Sequence, residues 1–149
     1  MITIRNQQRK IKLDTEKLKA QAQIILDDLG YQDFDLFILL ANETKMHDYN
    51  RDYRQKDKPT DILSFPFHPE VSAGDTIMPT SSDDQNLGDI IMCPAYILND
   101  LARWEKSFEE RLQILLVHGI CHLLGYDHIE DSDYEIMKAE EARLLEKIT

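Results

Sequence analysis

The chain has 149 residues, 42% apolar and 30% charged, a balance that supports a buried core and excludes disorder of the whole chain. The longest apolar run, Leu36 to Ala41, has six residues, far short of the ~20 that a membrane-spanning helix needs. Net charge is −11 but unevenly spread: residues 1–60 hold 11 Lys/Arg against 10 Asp/Glu, and residues 61–149 hold 6 against 18, so a surface for a polyanion would have to draw on the first part of the chain.

Ile2 and Ile4 alternate with polar residues and predict a short first strand. Asp14 is a good N-cap for a helix carrying Leu18, Ala22, Ile25 and Leu29, stopped at Gly30. Asp35 to Ala41 is apolar and too short for a helix, which predicts a buried strand. Asn42 caps a second helix with Met46, Tyr49 and Tyr53 on its inner face, ending before Lys58-Pro59 because proline disfavours helical geometry in the residue before it. Asp61 to Phe67 reads as a strand whose Pro66 marks an end or an edge. His68 to Asn86, rich in Gly, Pro, Ser and Asp, is expected to be a mobile loop. Leu87 to Cys93 is a further strand, and Pro94 opens a helix running to about Trp104. Ser107 with Glu110 forms a capping box for a helix to Leu124, ended by Gly125, and Ser132 with Glu135 forms another for a last helix through Ile148.

This order predicts one α+β domain over residues 1–149, a small mixed sheet of about four strands packed with helices. The first ten residues have no apolar core of a signal peptide, and the two cysteines, Cys93 and Cys121, make no disulfide framework. The expectation is a protein of the reducing cytoplasm, without a membrane partner.

The informative segment is His118-Gly119-Ile120-Cys121-His122-Leu123-Leu124-Gly125-Tyr126-Asp127-His128, which holds three of the five histidines. His118 and His122, four apart, share one face of a helix, and a left-handed turn at Gly125 would bring His128 back over the same point. Three neutral imidazoles hold a divalent ion and leave a position open, the arrangement of catalytic rather than structural zinc. Nickel or copper also suits such a donor set, so zinc, one ion per chain, is a preference. In the zinc-protease pattern H-E-x-x-H, the residue after the first histidine is the general base. Here it is Gly119, which carries no proton, so the metal must do more of the work by lowering the pKa of bound water toward ~7.

That run, with Tyr53-Arg54-Gln55-Lys56-Asp57-Lys58-Pro59-Thr60-Asp61-Ile62-Leu63-Ser64-Phe65-Pro66 and Leu87-Gly88-Asp89-Ile90, resembles the bacterial YbeY endoribonuclease family over nearly the whole chain. The resemblance implies a zincin-like fold and a metal-dependent, usually zinc-bound RNase acting on single-stranded RNA. It also implies a cytoplasmic role in ribosomal RNA processing, including the 3′ end of the small-subunit (16S) RNA, and in ribosome quality control. The partners would then be ribosomal RNA, the small subunit and its assembly factors. His118, His122 and His128 match the family's metal triad, and Arg54 its functional arginine.

Arg54 suits that role chemically, because a guanidinium fork matches the oxygens of a phosphate better than an ammonium does. Its bland alternative is a surface pair with Asp52 or Asp57. Two other functional readings stand beside the nuclease: a zinc-dependent amide or ester hydrolase, which Gly119 disfavours, and a non-catalytic ribosome-assembly factor with a structural metal. Asp127 either orients a ligand imidazole or caps the bend. Asp61, Ser64 and Asp89 either line a cleft or are turn and edge residues. Cys121 points away from His118 on the helix and reads as core. Tyr49, Tyr53 and Trp104 either stack on bases or, better for the tyrosines at helical spacing, pack in the core. His47 and His68 have no partner at metal spacing.

Overall fold

The architecture follows from two apolar strands that must be covered on both faces. In the computed structural model, which describes residues 1–149, the strands are β1 (Ile2–Asn6), β2 (Asp35–Leu40), β3 (Ile62–Pro66) and β4 (Asn86–Met92). They form one sheet in the order β1-β2-β4-β3. β1, β2 and β4 run parallel, and β3 lies antiparallel to β4 on the open edge. The helices are α1 (Thr15–Leu29), α2 (Glu43–Arg54), α3 (Pro94–Asn99), α4 (Phe108–Leu123) and α5 (Asp131–Ile148). The expected α+β fold with a mixed four-stranded sheet is the one observed.

Side chains alternate across a strand, so β2 feeds two cores at once. Leu36, Ile38 and Leu40 join the larger core under α1, α4 and α5, with Ile62 of β3 and Ile90 and Met92 of β4. Leu39 and Ala41 join a smaller core with Met46 of α2, Leu63 and Ile91, against which Phe37, Tyr49 and Phe65 pack. Burying each such aliphatic side chain contributes roughly 1.5–3 kcal/mol, which holds helices on both faces of the sheet. The edge strand therefore has α4 on one side and the end of α2 on the other.

Helix starts are local chemistry and follow the sequence closely. The Asp14 side chain accepts from the Lys17 amide, Asn42 does the same for Lys45, and Ser107 and Glu110 close a reciprocal box at 3.1 Å each way. Gly30 ends α1 in the left-handed conformation. Three expectations need correction. The final helix begins at Asp131 behind Glu130, with no side-chain cap, and Ser132 falls inside its first turn. The helix from Pro94 stops at Asn99 and a 3-10 turn at Leu101–Arg103 follows, across which the Asp100 carboxylate accepts the Trp104 indole N–H at 3.1 Å. Tyr53 continues the inner-face spacing of α2, yet that face runs past the edge of the sheet in its last turn. Met46 is fully buried while Tyr53 is 62% exposed.

The segment 68–86 is irregular, as its composition predicts, but it is tethered rather than free along its length. Ile77 is buried and donates its amide to the Tyr31 hydroxyl at 3.1 Å. His68 Nε2 lies 2.8 Å from the Asp84 carbonyl, and Ser82–Asp84 forms a 3-10 turn closed by Ser81 and Asp84.

Candidate metal centre

α4 presents its apolar stripe to the sheet and its two histidines to a cleft. Gly119, between them, faces the strands. A Cβ there would lie 2.9 Å from Ile62 Cδ1, 3.1 Å from Ile90 Cδ1 and 3.3 Å from Ser64 Oγ. A larger residue here would press on the ends of the Ile62 and Ile90 side chains, which would have to shift by a few tenths of an ångström. Gly125 turns the chain with φ +89°, and a Cβ on it would be 2.3 Å from the Val71 carbonyl oxygen. Both the left-handed geometry and the close backbone approach demand glycine.

The turn brings His128 back as the spacing predicts. One ring nitrogen from each of His118, His122 and His128 lies within 4.8 Å of the others, a group able to hold a metal ion. His118 Nε2 and His122 Nε2 are 3.1 Å apart. Burial first, then the neighbouring His118 and His128, lowers the His122 pKa to about 4, so its ring is neutral at pH 7 and offers a lone pair. The donor set therefore fits a divalent ion of the zinc type.

The sequence reading missed one residue here. Glu141 on α5 places Oε2 3.0 Å from His118 Nδ1, and both side chains are about three-quarters buried. Accepting from Nδ1–H leaves the Nε2 lone pair directed at the other histidines, which fixes the tautomer a metal ligand needs. A signal existed: Met137, Glu141 and Leu144 share the inner face of α5, and a carboxylate at such a position needs a partner. α5 is also tied to α1 by Arg143, which reaches Asp28 at 2.6 Å. Glu141→Ala is expected to weaken metal binding about 10–100-fold with the three histidines intact, measured by competition with a chelator of known affinity. Unchanged affinity would remove Glu141 from the site.

A second expectation concerns pH. His122 titrates at about 4 when folded and near 6.5 when unfolded, so below ~6.5 the unfolded chain binds the extra proton. In metal-free protein this residue adds no pH dependence above ~6.5 and destabilises progressively as pH falls from ~6.5 to 4. Urea midpoints of wild type and His122→Ala, compared at pH 8, 6.5 and 5, should diverge only at the acid end.

The histidines open on a cleft of about 1080 Å³ that runs along the free edge of β3. α4 supplies the histidines from one side of the strand. The end of α2 supplies Tyr53 and Arg54 from the other, and Asp61, Ser64 and Asp127 also line the cleft. Gln55, with φ +58°, turns the chain away directly after Arg54, and the Asn50 amide pins the returning segment by donating to the Lys58 carbonyl at 2.8 Å. The surface pairing considered for Arg54 is not observed. Asp52 is taken by Arg51 at 3.1 Å and Asp57 by His47 at 2.7 Å.

The remaining candidates separate cleanly. Asp127 accepts from the Ile129 amide at 3.3 Å, capping the bend, while Glu141 is the carboxylate beside the imidazole. Asp61 faces the cleft but pairs with Arg111 at 3.4 Å. Asp89 is absent from the cleft wall. Cys121 is fully buried core, and burial pushes its thiol far above the usual range. The Arg111 guanidinium lies 3.7 Å over the Trp104 ring, so that indole face is not open to a base.

Across residues 3–149 the sequence matches the protein family described as Endoribonuclease YbeY. A human protein named Endoribonuclease YbeY is 35% identical over 147 residues, which take in 99% of this chain and 87% of that one. Another of that name from Neisseria meningitidis is 42% identical over 116 residues, 78% of this chain and 65% of that one. The fold is similar to that of a Thermotoga maritima protein solved in solution, with a TM-score of 0.65 and 24% identity, covering 99% of this chain and 89% of that one.

Proposed function

Since the chain belongs to the Endoribonuclease YbeY family, we propose that it is a metal-dependent endoribonuclease acting on single-stranded RNA in ribosomal RNA processing, including 16S 3′-end maturation and ribosome quality control. The observation that carries this reading is the meeting of two functions in one cleft: three convergent imidazoles and a guanidinium without a carboxylate partner. His118, His122 and His128 are the ligands in this proposal, zinc the ion, and residues 1–149 one catalytic domain. Ribosomal RNA, the small subunit and its assembly factors are the partners, and the cytoplasm the location. None of the helices is long and apolar enough to cross a membrane.

When bound, the ion supplies an acidified water and polarises a phosphoryl oxygen. The chain's own groups do the rest. Arg54 grips the non-bridging oxygens of the phosphate with a planar pair of donors, from the side of β3 opposite the histidines. Glu141 keeps His118 in the tautomer that faces the cleft. Asp61 is held by Arg111 and Asp127 by the bend, so neither carboxylate is loose in the wall. Gly119 disfavours the amide-hydrolase reading, because the position of the protease base carries no proton-transferring side chain.

The test is cleavage of single-stranded RNA and of casein by purified protein of measured metal content, with His122→Ala prepared identically to exclude contaminating RNase. Cutting of RNA alone, lost in the variant, supports the proposal. Cutting of casein, or inertness of metal-replete protein on both, overturns it.

A further inference from the structure

Tyr53 is the most exposed aromatic side chain in the protein, yet it stands in the wall of the cleft and not on the outer surface. The other aromatics of that wall, Phe65 and Tyr126, are half-buried. Its ring is held from behind. Tyr49 lies near-parallel to it, with centroids 6.2 Å apart and planes 22° apart, and Phe65 of β3 meets it in a T-shaped contact at 5.2 Å. A ring fixed by two neighbours and open to a cleft loses little freedom when a flat partner arrives.

We propose that Tyr53 is a nucleobase platform: a base of single-stranded RNA beside the phosphate held by Arg54 stacks on its exposed ring. The inference rests on the endoribonuclease reading and assigns it a base subsite. A nucleotide offers a phosphate and a flat base on one unit, and Arg54 and Tyr53, at the end of α2, both line the wall of the same cleft. A guanidinium and an aromatic face in succession are the two elements by which single strands are held without sequence preference. The protein is strongly acidic, so charge alone gives a polyanion little purchase, and stacking supplies attraction that the charge balance lacks. The other exposed rings do not compete for this role. Trp104 is covered by Arg111, and Tyr134 and Phe67 lie outside the cleft wall.

The experiment uses the metal-loaded full chain and a labelled single-stranded oligoribonucleotide, with a series in which one abasic nucleotide is walked along the strand. Tyr53→Ala should raise Kd and KM by about tenfold or more, the worth of one stacked base, with kcat changed less. Tyr53→Phe should stay near wild type. Tyr53→Leu keeps apolar bulk against Phe65 but has no aromatic face, and should fall with the alanine variant at unchanged melting temperature and metal content. At one position an abasic nucleotide should weaken wild type as much as Tyr53→Ala does, and should cost that variant nothing further. If wild type binds and cuts RNA while Tyr53→Ala matches it, or if the abasic penalty persists undiminished in the variant, the platform is refuted and the nuclease reading stands. If metal-loaded wild type neither binds nor cuts any single-stranded RNA, both fall.

Discussion

His122→Ala is expected to lose most of the bound metal and with it RNA cleavage, while the fold persists. His122 is half-buried and lies 3.1 Å from His118, so its removal leaves two donors where the geometry provides three. The fold has little at stake, because the rings point into the cleft and the apolar stripe of α4 does the packing. His118→Ala and His128→Ala should behave alike, although the first also strands the Glu141 carboxylate. Elemental analysis beside circular dichroism checks this. Full occupancy in all three single variants would dismiss the ligand assignment.

Arg54→Ala should separate metal from catalysis. The side chain lines the cleft opposite the histidines, and no ion pair of the fold depends on it, so metal content and melting temperature should match wild type. Cleavage should drop by about 10²–10³, the usual loss when one charge-stabilising donor leaves a preorganised site. Arg54→Lys should recover only part, since a point charge cannot replace a planar fork. Wild-type activity should also decline with added salt, because phosphate contacts displace counterions. Wild-type rates in metal-replete Arg54→Ala would leave the basic cluster as ordinary surface charge.

The parts of this protein legible in its sequence are those fixed within a turn or two of the chain. Asp14, Asn42 and Ser107 cap helices through bonds to amides three residues on, and Gly125 bends the chain through its own φ angle. The histidine triad was legible for the same reason: its spacing of four and six residues is a local device. What stayed hidden depends on elements meeting. Glu141 reaches His118 across 23 residues because α5 packs on α4, and Ile77 is tied to Tyr31 across 46 because a loop folds back on α1. Tyr53 has the periodicity of a core residue, and only the position of the sheet edge leaves it in the open. The Ser132 box has the right letters, but a helix that starts two residues earlier leaves its serine inside the first turn.

The Glu141–His118 contact also orders events in time. A chain growing from its N-terminus acquires all three imidazole donors once His128 has been made, thirteen residues before the carboxylate that aligns the first of them. Glu141 can reach His118 only after the final helix has emerged and docked against its neighbours. Until then the donors are present but His118 is free to take either tautomer. A chain cut short between His128 and Glu141 would therefore keep all three histidines and lose the group that orients the first of them.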